Sequence, residues 1–307
     1  MNTTSQPIVD LAYVRFQVPD LASQETFLQD FGLHTWEVAG VLYARGTDPS
    51  AFIYSACEGE ATFLGLGFEA ESQAALERVA ALDDITIQDH DAPGGGLVAT
   101  FTAPDDYRVD LVWGMEKSPA MAIPSRSPLN DGAHRPRLGE RVTFAAQPRD
   151  VKRLGHCVLG VTDFQTSYRW FNEHFGLIVS DEIFAGAQDN VIGAFMRCDR
   201  GAEYVDHHTL FLLGAGAPGF NHAAFEIANW DSLMAGHFAL EQAGYTHSWG
   251  VGKHLLGSQV FDYWKDPHNF TLEHFTDGDL FNADFGSHKA PIDALLGSHW
   301  GPSGGPT

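Results

Sequence analysis

Period-two alternation of apolar and polar positions, interrupted by stretches of helical spacing, recurs four times along the chain. Residues 13–33 (YVRFQVPDLASQETFLQDFGL) and 156–177 (HCVLGVTDFQTSYRWFNEHFGL) both read as a strand, then Val-x-Asp, then an amphipathic helix closing at Phe-Gly-Leu. In the second, Asp163 is placed to cap the helix. Phe164, Tyr168, Phe171 and Phe175 follow at helical spacing, and Gly176 stands where a left-handed residue ends the helix. Residues 63–82 and 220–244 form another pair, each a strand ending Phe-Glu that leads into a helix. The closing segments PDDYRVDLVW (104–113) and PHNFTLEHFT (267–276) match as well. Matched segments in fixed order predict a duplicated module, used twice in each of two domains.

A length of 307 residues suits that division, with domains of about 140–150 residues each. The expected boundaries are an N-terminal domain over 1–114, a linker over 115–152, a C-terminal domain over 153–279 and a tail over 280–307. The linker contains SPAMAIPSRSPLNDGAHRPRLGE, rich in Pro, Ser and Gly and without a period. The tail reads as an irregular cap, with its final PSGGPT expected to be disordered.

Composition narrows the class. Apolar residues make up 44% of the chain, enough for packed cores. No run approaches the roughly 18 apolar residues of a membrane-spanning helix. The first residues, MNTTSQPIVDLAYVRF, carry no secretory pattern. Cys57, Cys157 and Cys198 read as reduced thiols, so a cytoplasmic protein is expected. The net charge of −22 repels nucleic acid and anionic membrane surfaces and is read as a solubility feature. Of 15 histidines only His34 and His90 precede residue 130.

Strand alternation places His222, Ala224 and Glu226 on one face of NHAAFEI, Thr271, Glu273 and Phe275 on one face of FTLEHF, and His156 with Val158 in GHCVLGV. Singly, such a His or Glu is more often a core or surface residue than a ligand. The repeat changes that balance. It sets Tyr13 against His156, Gly65 against His222 and Asp110 against Glu273, so the N-terminal half keeps the frame without the imidazoles. His156, His222 and Glu273 are therefore the candidate ligands of one Fe(II) or Mn(II) ion. Two imidazoles and a carboxylate leave open positions of the kind used in non-haem Fe(II) oxygen chemistry.

These residues resemble the type I extradiol ring-cleavage (catechol) dioxygenases of the vicinal oxygen chelate superfamily. The strongest match is GKHLLGSQVFDYWKDPHNFTLE (252–273), which carries Gly252, His254, Tyr263, Asp266, Pro267 and Glu273 in the family's order. Asp262 departs from it where an apolar residue is usual, and Asn269 where Gly or Pro is usual. The resemblance runs from about Val9 to Asp279, specific in the C-terminal half and architectural in the N-terminal half.

It implies an α+β fold of four repeated βαβββ modules in two vicinal-oxygen-chelate domains, each a curved mixed sheet with helices outside, the second enclosing the site. It implies His156, His222 and Glu273 as metal ligands and His208 as the acid–base histidine. It gives His254 and Tyr263 roles in holding substrate oxygens. His208 is chosen over His207 because it shares a face with Leu210 and Leu212, and His207 is expected to point away. The implied activity is cleavage of a small aromatic diol by dioxygen to a ring-opened semialdehyde, in aromatic catabolism, by a homo-oligomer with no nucleic-acid or membrane partner.

Phe195, Trp249 and Phe275 are the expected pocket walls. A Trp where carboxylate-binding relatives carry Arg favours a neutral substituent, with Lys253 the residue that could still pair with a carboxylate. His174, His237 and His247 read as surface residues, and His274 faces away from Glu273. The competing readings are a 4-hydroxyphenylpyruvate-type oxygenase, a glyoxalase-type enzyme and a non-catalytic binding homologue. Residues 252–263 argue against the first, and Tyr13, Gly65 and Asp110 cannot supply the paired ligands of the second.

Overall fold

The computed structural model describes residues 7–123, 128–141 and 150–305. The last residues of PSGGPT and the first residues of the chain lie outside that description. Four copies of strand, helix and three strands follow one another. The first begins with strand Ile8–Val18 and helix Leu21–Phe31, and the second with strand Thr62–Ala70 and helix Gln73–Ala80. The third begins with strand Val151–Val161 and helix Phe164–Phe175, and the fourth with strand Gly219–Ile227 and helix Trp230–Ala243. Modules one and two form an eight-stranded mixed sheet, and modules three and four, with two strands of the tail, a ten-stranded one. In each, the first strands of the two modules lie side by side and antiparallel at the centre. This is the α+β architecture expected from the repeat.

Local chemistry accounts for the helix limits. Asp163 accepts a hydrogen bond from the Thr166 amide, and Gly176 is left-handed at φ 63°. Asp20 and Gly32 do the same for the first helix. Each cap satisfies terminal amide or carbonyl groups that the helix leaves unpaired.

The helices pack between the two sheets, away from the C-terminal cavity. Phe31 stacks on His274, with ring centroids 3.7 Å apart, and His274 Nε2 lies 2.7 Å from the Phe31 carbonyl oxygen. Phe175 reciprocates against Phe68 and Phe101. One apolar core therefore runs through both halves. Each fully buried Phe or Leu contributes on the order of 1.5–3 kcal/mol. His274 turns its back on Glu273, as alternation predicts.

Among the described residues between Trp113 and Val151 there is no helix or strand. The tail is more regular than its composition suggests. His288–Pro291 and Ser298–Trp300 add strands to the two edges of the C-terminal sheet, and Ile292–Leu295 forms a helical turn between them. Edge pairing supplies an order that a Gly- and Pro-containing sequence does not announce.

Candidate metal centre

Three neighbouring strands bring the ligand candidates together. In register, Ala224 faces His156 on one side and Glu273 on the other. The ladder slips between Phe220 and His222, and His222 comes to stand beside the other two. His156 Nε2 lies 3.2 Å and His222 Nε2 3.3 Å from the same oxygen, Glu273 Oε2. All three residues are buried. The donor atoms lie within 4.8 Å of one another.

This donor set fits a divalent ion. Glu273 Oε1 is buried without a hydrogen-bond partner, an unsatisfied position that would be costly without a nearby positive charge. Burial alone would raise the Glu273 carboxyl. The facing imidazoles of His156, His222 and His254 overcome it and hold the group well below the usual carboxylate range. Burial pushes His156 down, towards the neutral form that can ligate. Asn221 Oδ1 lies 2.8 Å from His222 Nδ1 and can accept a ring proton there, which would leave Nε2 as the ligand atom for a bound ion.

The N-terminal half keeps the frame without those imidazoles. Gly67 faces both Tyr13 and Asp110, as Ala224 faces His156 and Glu273. The counterpart of His222 is Gly65, at φ 141°, and a Cβ there would meet the Arg108 carbonyl oxygen at 2.3 Å. No imidazole can be held at that backbone position. Asp110 instead receives hydrogen bonds from Tyr13 at 3.0 Å, Arg15 at 3.0 Å, Arg108 at 3.1 Å and Thr100 at 2.7 Å. Guanidinium groups hold the buried carboxylate in this half.

A cavity opens over His156 and His222, lined also by His208, His254, Tyr263, Asn221 and Gln259. Its remaining walls are apolar, with Val158, Phe195, Phe211, Leu213, Trp249, Leu256, Leu295 and Leu296. Among the described residues no Lys or Arg lines it. Phe275 does not line it, because its ring lies beneath His156 and fills the space over Gly155. Lys253 is drawn away by Asp277, 2.6 Å from its Nζ. Leu295 and Leu296, from the tail, complete a wall that no motif indicated.

His254 Nε2 and the Tyr263 hydroxyl are 3.0 Å apart. Burial and the Glu273 carboxylate raise Tyr263 well above its ordinary value, so its O–H is retained. His208 packs 3.9 Å from His156 between ring centroids, and burial together with neighbouring imidazoles pushes it well below the ordinary value. The expected reason for choosing His208 does not hold. It precedes the strand Leu210–Gly214, so alternation does not reach it; Phe211 and Leu213 face the cavity, while Leu210 and Leu212 are core.

His207 was expected to point away from the site. It does not line the cavity; its Nδ1 lies 3.0 Å from His208 Nδ1, and its Nε2 lies 2.6 Å from Asp181 Oδ2. Of the three other histidines read as surface residues, His247 is exposed as expected, His237 is half-buried and His174 is buried. His174 is buried against Trp170 and Asp83, while His237 and His247 converge on Asp262.

The model of the Glyoxalase/Bleomycin resistance protein/Dioxygenase superfamily matches residues 153–274. Metapyrocatechase 2 of Cupriavidus necator is 30% identical over 295 residues, covering 93% of this chain and 87% of its own. The Mn(II)-bound glyoxalase of Novosphingobium aromaticivorans superposes with a TM-score of 0.77 at 20% identity, over 97% of this chain and 92% of its own. The 2,3-dioxygenase LapB of Pseudomonas sp. KL28 gives 0.77 at 16% identity, over 94% and 99%. At those identities the solved structures establish the shared fold alone.

Proposed function

The chain belongs to the extradiol dioxygenases of the glyoxalase/bleomycin resistance/dioxygenase superfamily, and we propose that it cleaves an apolar-substituted catechol with dioxygen at a metal held by His156, His222 and Glu273. The observation that carries this reading is the convergence of two imidazoles on one buried carboxylate oxygen at the floor of an apolar cavity. Fe(II) is the proposed ion, with Mn(II) suited to the same donors. Bound there, such an ion would acidify a coordinated diol and bring it together with dioxygen.

The chain's own residues would then do three things. The apolar walls would seat the ring and its substituent and exclude water, which strengthens polar contacts inside. Tyr263, kept as a neutral phenol beside His254, would donate its O–H to a substrate oxygen and hold the diol in one orientation. His208 would accept a diol proton at Nε2 and return it later, work suited to a neutral imidazole. The balance is simple. A ring carbon–carbon bond beside the diol breaks, both atoms of dioxygen enter the semialdehyde, and no external reductant is consumed.

Among the described residues no Lys or Arg lines the cavity wall, which favours a neutral alkyl or aryl substituent over a carboxylate. The same reading includes a homo-oligomer acting in the cytoplasm. Free thiols at Cys57, Cys157 and Cys198 support that compartment, and among the described residues no helix is long and apolar enough to cross a membrane.

Oxygen uptake by anaerobically Fe(II)-loaded protein, given 3-methylcatechol or 2,3-dihydroxybiphenyl, tests the proposal. Uptake with a yellow product, abolished in His222→Ala, is expected. Bound metal without uptake on either diol would move the reading to another oxygenase. Absence of both metal binding and uptake would leave a binding homologue.

A further inference from the structure

A second group of ligand-type side chains lies on the opposite face of the C-terminal sheet. Asp262 follows Phe261 in strand Val260–Lys265 and, by alternation, points away from the cavity that Tyr263 lines. Its carboxylate is fully buried. Two histidines from other elements reach it: His237 from helix Trp230–Ala243 and His247 from strand Thr246–His254. His237 Nδ1 lies 3.1 Å and His247 Nε2 2.8 Å from the same atom, Asp262 Oδ1. The three donor atoms lie within 4.8 Å of one another.

The arrangement repeats that of the first centre, where two imidazole nitrogens converge on Glu273 Oε2 at 3.2 and 3.3 Å. Ligand bonds of about 2.0–2.1 Å around a tetrahedral ion put neighbouring donors about 3.3 Å apart. The second group is slightly tighter than that and needs to open by a few tenths of an ångström. Trp264 Nε1 donates to Asp262 Oδ2 at 2.6 Å, which orients the carboxylate; His237 Nδ1 also lies 3.2 Å from Oδ2, and Oδ1 is the oxygen both histidines share. The imidazole rings are perpendicular, with centroids 5.0 Å apart. The His247 side chain is 33% exposed, so water can reach a remaining position. A buried apolar side chain at this position would carry no desolvation cost.

We propose that His237, His247 and Asp262 form a second site for a borderline divalent ion of the Zn(II) class, open to solvent and separate from the cavity. Two nitrogen donors and one carboxylate oxygen select Zn(II) or Co(II) over Mg(II) or Ca(II), which take oxygen sets. An ion there ties the helix Trp230–Ala243 to the two strands beneath it. The site stands whether or not the first centre performs ring cleavage.

The test uses the full chain stripped with a chelator, then equilibrium dialysis against Zn(II) and Co(II) with metal analysis and visible spectroscopy. Two equivalents per chain are expected for the unaltered protein and one each for His222→Ala and Asp262→Asn. The double variant should bind none. In His222→Ala, the remaining Co(II) should give the intense visible bands of a four-coordinate ion. Because Asp262 is buried, His247→Ala serves as a milder variant at an exposed position, and at least a tenfold weaker second equivalent is expected. The proposal is overturned if His222→Ala binds no metal, or if folded Asp262→Asn and His247→Ala both keep two equivalents at unchanged affinity. In either case the cluster is a hydrogen-bonded His–Asp–His network and nothing more.

Discussion

His207 and His208 meet through their Nδ1 atoms at 3.0 Å, and a hydrogen bond across that contact needs one ring to donate and the other to accept. Asp181 decides which. Its carboxylate sits 2.6 Å from His207 Nε2 and accepts a hydrogen bond there, so His207 carrying one ring proton presents a lone pair at Nδ1. His208 then donates from Nδ1 and turns the Nε2 lone pair towards the cavity. The dyad thus selects the tautomer of a residue it sits behind.

Asp181→Asn should undo that selection, because an amide can donate to His207 Nε2 and push its proton to Nδ1. Steady-state oxygen uptake should show kcat falling by about 10–100-fold, the scale seen for outer partners of site histidines. KM and bound metal should change little. Equal losses in metal content and kcat would mean that Asp181 supports the fold and not the tautomer.

The guanidinium-held carboxylate of the N-terminal half gives a stability prediction. Asp110→Ala removes the acceptor shared by Tyr13, Thr100, Arg15 and Arg108. Breaking a fully buried pair costs about 3–5 kcal/mol. The Arg15 and Arg108 side chains are 31% and 45% exposed and can return to water, so about 2–3 kcal/mol is expected. Urea unfolding measures it. Metal content should match the unaltered protein, since this carboxylate belongs to the half without His156 and His222.

Much of this was legible in the sequence because strands and helices carry periods. The repeat located the modules, and matched positions singled out His156, His222 and Glu273 against Tyr13, Gly65 and Asp110. Where the period stops, the reading fails. His208 lies just outside a strand, and its orientation follows from contacts with His156, Phe195 and His207. Asp181 is 26 residues from His207, with no local signal linking them. His174 looked exposed on its helix, yet that face meets Phe101 of the other half. Leu295 and Leu296 reach the cavity only because the tail's strands pair with the sheet edges.

Those two leucines should set substituent preference. Leu295→Ala and Leu296→Ala each remove apolar wall without touching His156, His222 or Glu273. For an alkyl- or aryl-substituted catechol, kcat/KM should fall by up to roughly tenfold, the low end for lost apolar contact in a pocket. Unsubstituted catechol should be nearly unaffected. A uniform loss across diols would place the tail outside substrate recognition.

The Asp262 cluster, free of metal, predicts a particular pH dependence. Hydrogen bonding to Asp262 raises His237 above its ordinary value of 6.5 despite burial. Burial would raise Asp262, but hydrogen bonds from His237, His247 and Trp264 hold it below its ordinary 3.8. A raised histidine stabilises fully below its unfolded value and loses that contribution as pH climbs through the folded one. A lowered carboxylate stabilises above its unfolded value and loses that contribution as pH falls. The two windows overlap between 3.8 and 6.5. Tm measured in chelator across pH, unaltered protein against Asp262→Asn, should therefore differ most within that interval, by about 2–4 °C for each kcal/mol lost. The gap should narrow above 6.5 as His237 gives up its proton, and again below 3.8. A gap that widens steadily from pH 6 to 8 would show that His237 is neutral throughout and that Asp262 owes its charge to other partners.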